Sequence, residues 1–149
     1  MGLDPRIRHE LLDVIAQLRS QSALTILLTT HYLDEAGRLC DRIAIVHAGK
    51  IVALDTPAAL RARLGPELVE LNVDGNAAEA LASLRARGIA DGEAFVVGST
   101  LTMPLREGGS DRAVAAARDL GLARAISTRQ PTLDDVYLQL TGDRLAAAA

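Results

Sequence analysis

Leu24 to Thr29 reads Leu-Thr-Ile-Leu-Leu-Thr, an almost unbroken apolar run. A strand of this composition has no polar face, so it is stable only in a sheet covered on both sides, the usual situation of a parallel sheet in an α/β protein. The run is far short of the roughly 20 residues needed to cross a bilayer. It ends in Thr29-Thr30-His31, and in open α/β sheets ligands bind beyond the carboxyl ends of the strands. One short segment therefore constrains both the fold and the place where chemistry would sit.

The flanking residues suit such a strand. Asp4-Pro5 is a helix start, an N-cap carboxylate followed by proline at the first helical position. Ile7, Leu11, Val14, Ile15 and Leu18 then share one face at helical spacing, and the helix is expected to end near Ser20. After His31 a short helix runs to Leu39. Arg42 to His47 is a second apolar strand, and Ala48-Gly49-Lys50 turns it into Ile51–Leu54, a hairpin signal. Thr56-Pro57 opens a third helix, which Gly65-Pro66 stops. A domain boundary is placed there, dividing residues 1–65 from residues 66–145.

The second half has a different rhythm. Val69, Leu71 and Val73 alternate with Glu70 and Asn72, as in a half-buried strand. A helix from Ala77 stops at Gly88. Strands at Glu93–Gly98 and Leu101–Arg106 flank a Gly-Ser-Thr turn, Ser110 caps a helix that stops at Gly121, and a last strand covers Leu122–Thr128. The order βαββαβ predicts a split-βαβ, ferredoxin-like sandwich. Pro104 is awkward in that scheme, because proline cannot donate to an interior ladder. In the closing stretch Pro131–Gly142, Thr132 and Asp135 have capping-box spacing. Leu133, Val136, Tyr137 and Leu140 form one stripe, and the Ala146–Ala149 tail is expected to fray.

Composition narrows the function classes. The net charge is −3 and aromatic residues are 2% of the chain; nucleic-acid partners call for a basic surface and, for single strands, stacking platforms. The single cysteine, Cys40, cannot close a disulfide within the chain, and no Cys/His cluster has zinc spacing. A reducing compartment is the natural setting. The amino-terminal residues lack the apolar core of a signal peptide. His31, Glu35, Cys40 and His47 give no convergent face for a metal. His31 itself has two readings from position alone: an imidazole bonding a phosphate or a water, or a plain cap on a strand end.

The motifs in series carry more than any one alone. Thr29-Thr30-His31-Tyr32-Leu33-Asp34-Glu35-Ala36, then Cys40-Asp41-Arg42-Ile43-Ala44-Ile45-Val46, then Gly49-Lys50-Ile51-Val52, then Thr56-Pro57, resembles the switch-histidine region of ABC ATPases. Gly2-Leu3-Asp4-Pro5 is similar to the D-loop of that family. Pro131–Gly142 is similar to the end of the carboxyl-terminal extension in its drug-exporter, daunorubicin-resistance branch. The resemblance implies the C-terminal part of a P-loop NTPase (ABC ATPase) domain in residues 1–65, followed by the small α+β ferredoxin-like domain and a final helix. It implies that His31 is the switch histidine facing the γ-phosphate, and that Gly2, Leu3 and Asp4 cross the ATPase dimer interface. For Asp4 an N-cap role explains the residue unaided, and both roles are compatible. Glu35 is expected to face solvent or support the helix it sits on, and His9 and His47 to be ordinary surface residues.

By the same resemblance, ATP and Mg²⁺ are the ligands of the intact family, a membrane permease and a second ATPase subunit are its partners, and the inner face of a bacterial cell membrane is its location. No nucleic-acid partner is expected. Lys50 is not a phosphate-binding lysine, since Ile51 stands where Ser or Thr is required. The chain has no Gly-x-x-x-x-Gly-Lys-[Ser/Thr], no Leu-Ser-Gly-Gly and no apolar strand ending in Asp-Glu. Phosphoryl transfer depends on those groups together. The chain is thus expected to begin within the ATPase domain, to hydrolyse no ATP alone, and to bury little in residues 1–65. The competing reading is a stand-alone ligand-binding or dimerisation module built on the βαββαβ half.

Overall fold

In a computed structural model, the structure describes residues 4–21, 24–105, 109–121 and 123–142. The elements in chain order are α1 (Pro5–Gln21), α2 (Leu33–Leu39), β1 (Ile43–His47), β2 (Lys50–Asp55), α3 (Pro57–Ala62) and β3 (Glu67–Val73), then α4 (Ala77–Ala86), β4 (Phe95–Val97), β5 (Thr100–Leu105), α5 (Ser110–Asp119), β6 (Ala123–Arg129) and α6 (Leu133–Thr141). They form a mixed α/β arrangement with two antiparallel sheets, a β1–β2 hairpin and a four-stranded sheet in the order β4-β5-β3-β6.

The local signals explain most of the element ends. Asp4 accepts from the Arg6 N–H at 2.8 Å, and Thr56 accepts from the Ala59 N–H at 3.1 Å with Pro57 behind it. Thr132 and Asp135 make the reciprocal capping box. Ala48 and Gly49, both at positive φ, turn the hairpin, as primed two-residue turns require. α5 starts at Ser110 itself, with Gly109 before it and no side-chain cap; the serine lies one position inside the helix it was expected to cap. Pro104 is tolerated because β4 is short: it pairs only with Thr100–Thr102, so β5 has no β4 neighbour at Pro104. Arg106, Leu122 and the Ala146–Ala149 tail lie outside the described residues.

Two hydrophobic clusters share the four-stranded sheet. On one face Val69, Leu71, Val73, Leu101 and Met103 pack under α4 and α5, which contribute Leu81, Leu84, Ala113 and Ala117. On the other, Leu68 joins Leu60 and Leu64 from the α3 region, Ile43, Ile45 and Ala53 from the hairpin, Ala36 from α2, and Leu133 and Val136 from α6. Leu60, Leu64, Leu68 and Val136 are wholly buried, each worth roughly 1.5–3 kcal/mol of transfer free energy. This second cluster crosses the boundary placed at Gly65. Within residues 1–65, expected to bury little unaided, residues 33–64 have a core that α6 returns to complete. Gly65 sits at the crossing with φ +80°, and a Cβ there would lie 2.6 Å from the Leu105 carbonyl oxygen.

The expected strand Leu24–Thr29 is corrected. Residues 24–30 are neither helical nor paired in a sheet. A strand exists only with a ladder partner, and none of the described strands pairs with this stretch. Leu27 is 94% exposed, and Leu24 and Ile26 also face solvent. The stripe of α1 shares this fate: the helix forms as its periodicity predicts, but Ile7, Leu11, Val14 and Leu18 are exposed.

Candidate functional site

Polar contacts, rather than the apolar stripe, fasten α1 to α2 and its flanking residues. Arg8 Nε lies 2.8 Å from Glu35 Oε1 on α2, and the Arg8 guanidinium carbon sits 3.4 Å from the centre of the Tyr32 ring. At the far end of α1, Arg19 donates to the Leu39 carbonyl and pairs with Asp41 at 3.1 Å. The Arg8–Glu35 pair is largely shielded, so it is screened less than the exposed Arg19–Asp41 pair.

His31 stands at the open end of this arrangement. Its ring centroid is 4.1 Å from that of Tyr32, with the planes tilted by 37°. The Tyr32 N–H donates to Thr30 Oγ1 at 3.0 Å, a local turn that leaves His31 exposed. Tyr32 is also the residue that precedes α2, in extended conformation. His31, Tyr32, Arg8 and Glu35 therefore form one continuous column. An exposed imidazole beside the Tyr32 ring can hydrogen-bond an anionic group arriving from solvent. Glu35 supports its helix through Arg8. Asp4 is joined to the column through backbone, its carbonyl accepting from the Arg8 N–H at 2.9 Å. Gly2 and Leu3 lie outside the described residues. Arg8 and Tyr32 were not singled out in the sequence, because an arginine on a helix and a tyrosine after a histidine carry no motif of their own.

No protein-family model matches the chain. Curated proteins do. A daunorubicin resistance ATP-binding protein of Streptomyces coeruleorubidus is 37% identical over 146 residues, covering 95% of this chain and 45% of the relative. The daunorubicin/doxorubicin resistance ATP-binding protein of Streptomyces peucetius is 36% identical over 148 residues, covering 95% and 44%. A fluoroquinolones export ATP-binding protein of Mycobacterium tuberculosis is 35% identical over 146 residues, covering 97% and 42%. The chain is homologous to the C-terminal portion of drug-resistance ATP-binding proteins. It spans less than half the length of these curated relatives.

In this homologue of the drug-resistance ATP-binding proteins, a second polar cluster sits where the sheet meets α6. Arg129 donates from Nε and Nη2 to Glu70 Oε1 at 3.0 and 2.6 Å. It also reaches both Asp135 oxygens, from Nη1 at 2.6 Å and from Nη2 at 2.7 Å. Asp135 is 3% exposed and accepts further from the Thr132 N–H and Oγ1–H, each at 2.7 Å. Burial pushes the Asp135 carboxyl up, but the bonds from Arg129 and Thr132 outweigh it and hold the group below the usual carboxylate range. Asp134 goes the other way: burial first, then the nearby Asp34 carboxylate, raise it. Only the Thr132–Asp135 half of this cluster was legible from spacing. Arg129 and Glu70 become neighbours through the β3–β6 register, in which Leu68 faces Arg129 and Glu70 faces Ser127, a diagonal relation on one sheet face.

Proposed function

We propose that this chain is the C-terminal part of the ATP-binding subunit of an ABC-type exporter of drugs or antibiotics. The observation that carries the reading is the 37% identity across 95% of the chain to a daunorubicin resistance ATP-binding protein. The exposed His31 at the head of the Arg8–Tyr32–Glu35 column supports its assignment as the switch histidine, contacting the γ-phosphate and holding the attacking water. Gly2, Leu3 and Asp4 then form the dimer-crossing loop. Residues 1–65 are assigned to the ATPase domain and residues 66–145 to an accessory domain. The all-antiparallel order β4-β5-β3-β6, with α4 and α5 as the two crossovers, supports a ferredoxin-like fold for the latter.

ATP supplies the phosphoryl group in this scheme and Mg²⁺ offsets its charge. The chain has no Gly-x-x-x-x-Gly-Lys-[Ser/Thr], the motif whose Ser or Thr holds the cation in P-loop enzymes, so the cation is assigned to residues outside this chain. His31 contributes a hydrogen-bonding group that alone completes no catalytic unit, and the chain by itself is inactive. Its partners are a second ATPase subunit and a membrane permease, and its place is the cytoplasmic face of the membrane. No described helix is long and apolar enough to cross a bilayer.

A chimera tests this. The amino-terminal part of the Streptomyces coeruleorubidus relative, fused ahead of Gly2, is expected to hydrolyse ATP, and His31→Ala in it to lower turnover by at least about a hundredfold with ATP binding retained. A folded, ATP-binding chimera whose turnover ignores His31 would refute the assignment.

A further inference from the structure

The Arg129 cluster lies far along the chain from His31, yet the packing connects them. Arg129 ties β6 to β3 through Glu70 and to the first turn of α6 through Asp135. The next helical surface is α2, which α6 meets at close range. Leu133 Cδ1 lies 3.0 Å from where a Gly37 Cβ would be, so only glycine permits this approach without displacement. Ala36, Leu133 and Val136 are buried together, with Leu33, Cys40 and Tyr137 packed against them. α2 begins two residues after His31 and carries Glu35, the partner of Arg8.

Arg129 is the cation bonded to the carboxylates along this seam, and Arg61 Nη1 also comes within 4.0 Å of the Gly37 position. Asp34, Asp134, Asp135 and Glu70 approach the seam from α2, α6 and β3, and Arg129 bonds two of them. Without the guanidinium, the buried Asp135 carboxylate would face Glu70 with no counter-charge, a strongly destabilising arrangement. Lysine could not replace it fully, since a point charge cannot reach both Asp135 oxygens and Glu70 in the planar fork that arginine uses.

We propose that Arg129 is a positioning residue for the Tyr32–Cys40 segment: by fixing Asp135 it seats α6 against α2, so the four-stranded sheet holds in place the helix that comes after His31. On the reading of His31 given above, the accessory domain thereby braces the nucleotide-facing segment. That consequence rests on that reading; the brace itself does not.

Cys40, the chain's sole thiol, reports on the seam. It is half-buried, and its N–H closes α2 on the Ala36 carbonyl at 2.9 Å. The full chain is compared with Arg129→Met, Arg129→Lys and, as control, Arg124→Met, which removes an exposed β6 arginine paired with Asp74. Three readouts are followed without nucleotide: the Cys40 alkylation rate, the His31 ring resonances, and the exchange of β3 and β5 amides. Arg129→Met is expected to speed alkylation at least about tenfold and to shift the His31 signals, with β3–β5 protection changed by less than about twofold. Arg129→Lys should fall between, and Arg124→Met should match the wild type. An unchanged Cys40 rate, or a gain that only tracks loss of β3–β5 protection, overturns the proposal. If Arg129→Met does not fold, Asp135→Asn carries the same test, since it weakens the pair while keeping the shape. The chimera result on His31 leaves these outcomes untouched, so the two ideas fail separately.

Discussion

Even- and odd-numbered residues of β3 face different cores, and this gives a sharp test of the architecture. Leu68 and Leu71 are both wholly buried, but Leu68 packs with the α3, α6 and hairpin residues, and Leu71 packs under α4 and α5. Truncating either to alanine removes apolar contact and leaves a cavity, costing about 2–5 kcal/mol. For a chain of about this size each kcal/mol lowers the melting temperature by roughly 2–4 °C, so either variant should melt about 4–20 °C lower by circular dichroism. The location of the damage separates them. Leu68→Ala should raise amide exchange in α2, α3 and α6, where Ala36, Leu60, Leu64, Leu133 and Val136 lose a neighbour. Leu71→Ala should raise it in α4 and α5. A Leu68→Ala variant that loses less than about 1 kcal/mol, or whose exchange pattern matches that of Leu71→Ala, would refute the division of the sheet into two faces with separate cores.

Gly65→Ala is expected to cost at least about 1–2 kcal/mol, because φ is +80° and the added Cβ would press on the Leu105 carbonyl; a urea titration checks it. Limited proteolysis should cut between Pro5 and Thr30 well before it cuts between Leu33 and Leu64, since α1 and residues 24–30 add no side chain to either buried core. The later stretch adds Ala36, Ile43, Ile45, Ala53, Leu60 and Leu64, although its hairpin also exposes Val46, Ile51 and Leu54. The two neighbouring aspartates should show opposite pH signatures. Asp135 has a lowered folded value, so its contribution is present above the ordinary carboxylate range and is lost as pH falls through the folded value; Asp135→Asn should destabilise at neutral pH and converge with the wild type in acid. Asp134 has a raised folded value, so its charge opposes folding once pH exceeds that value. Asp134→Asn should stabilise at neutral pH and change little in acid, measured by melting across pH.

The sequence is legible where the signal is local. Asp4, Thr56, Thr132 and Gly142 mark helix ends through bonds that span a few residues, and alternation in Val69–Val73 fixes which side chains of β3 share a face. It misleads where the decision belongs to partners distant in sequence. Leu24–Thr29 has the composition of a buried strand, but composition does not supply a neighbour. The α1 stripe likewise has the period of a packed helix, yet Ile7, Leu11, Val14 and Leu18 stay exposed. The His31 region is marked by the order of several motifs, whereas its contacts with Arg8 are invisible in sequence, being made by two elements whose approach no spacing encodes. Arg129 is hidden for the same reason: its partners Glu70 and Asp135 are brought to it by strand register and by the α6 cap.

The contact between Gly37 and Leu133 also bears on when this chain can become itself. The segment that begins at α2 is made early, yet the helix that seals its core is the last described element. During synthesis, at about 5–20 residues per second, Ile43, Ile45, Leu60 and Leu64 emerge with one wall of their core not yet made. The four-stranded sheet closes only with β6, immediately before α6. Closing so long a loop adds little to the equilibrium cost, which grows only with the logarithm of length, but it delays the folding of everything that waits on it. A ribosome stalled before Leu133 would therefore hold residues 33–64 without the helix that closes their core, open to proteases and to other nascent chains.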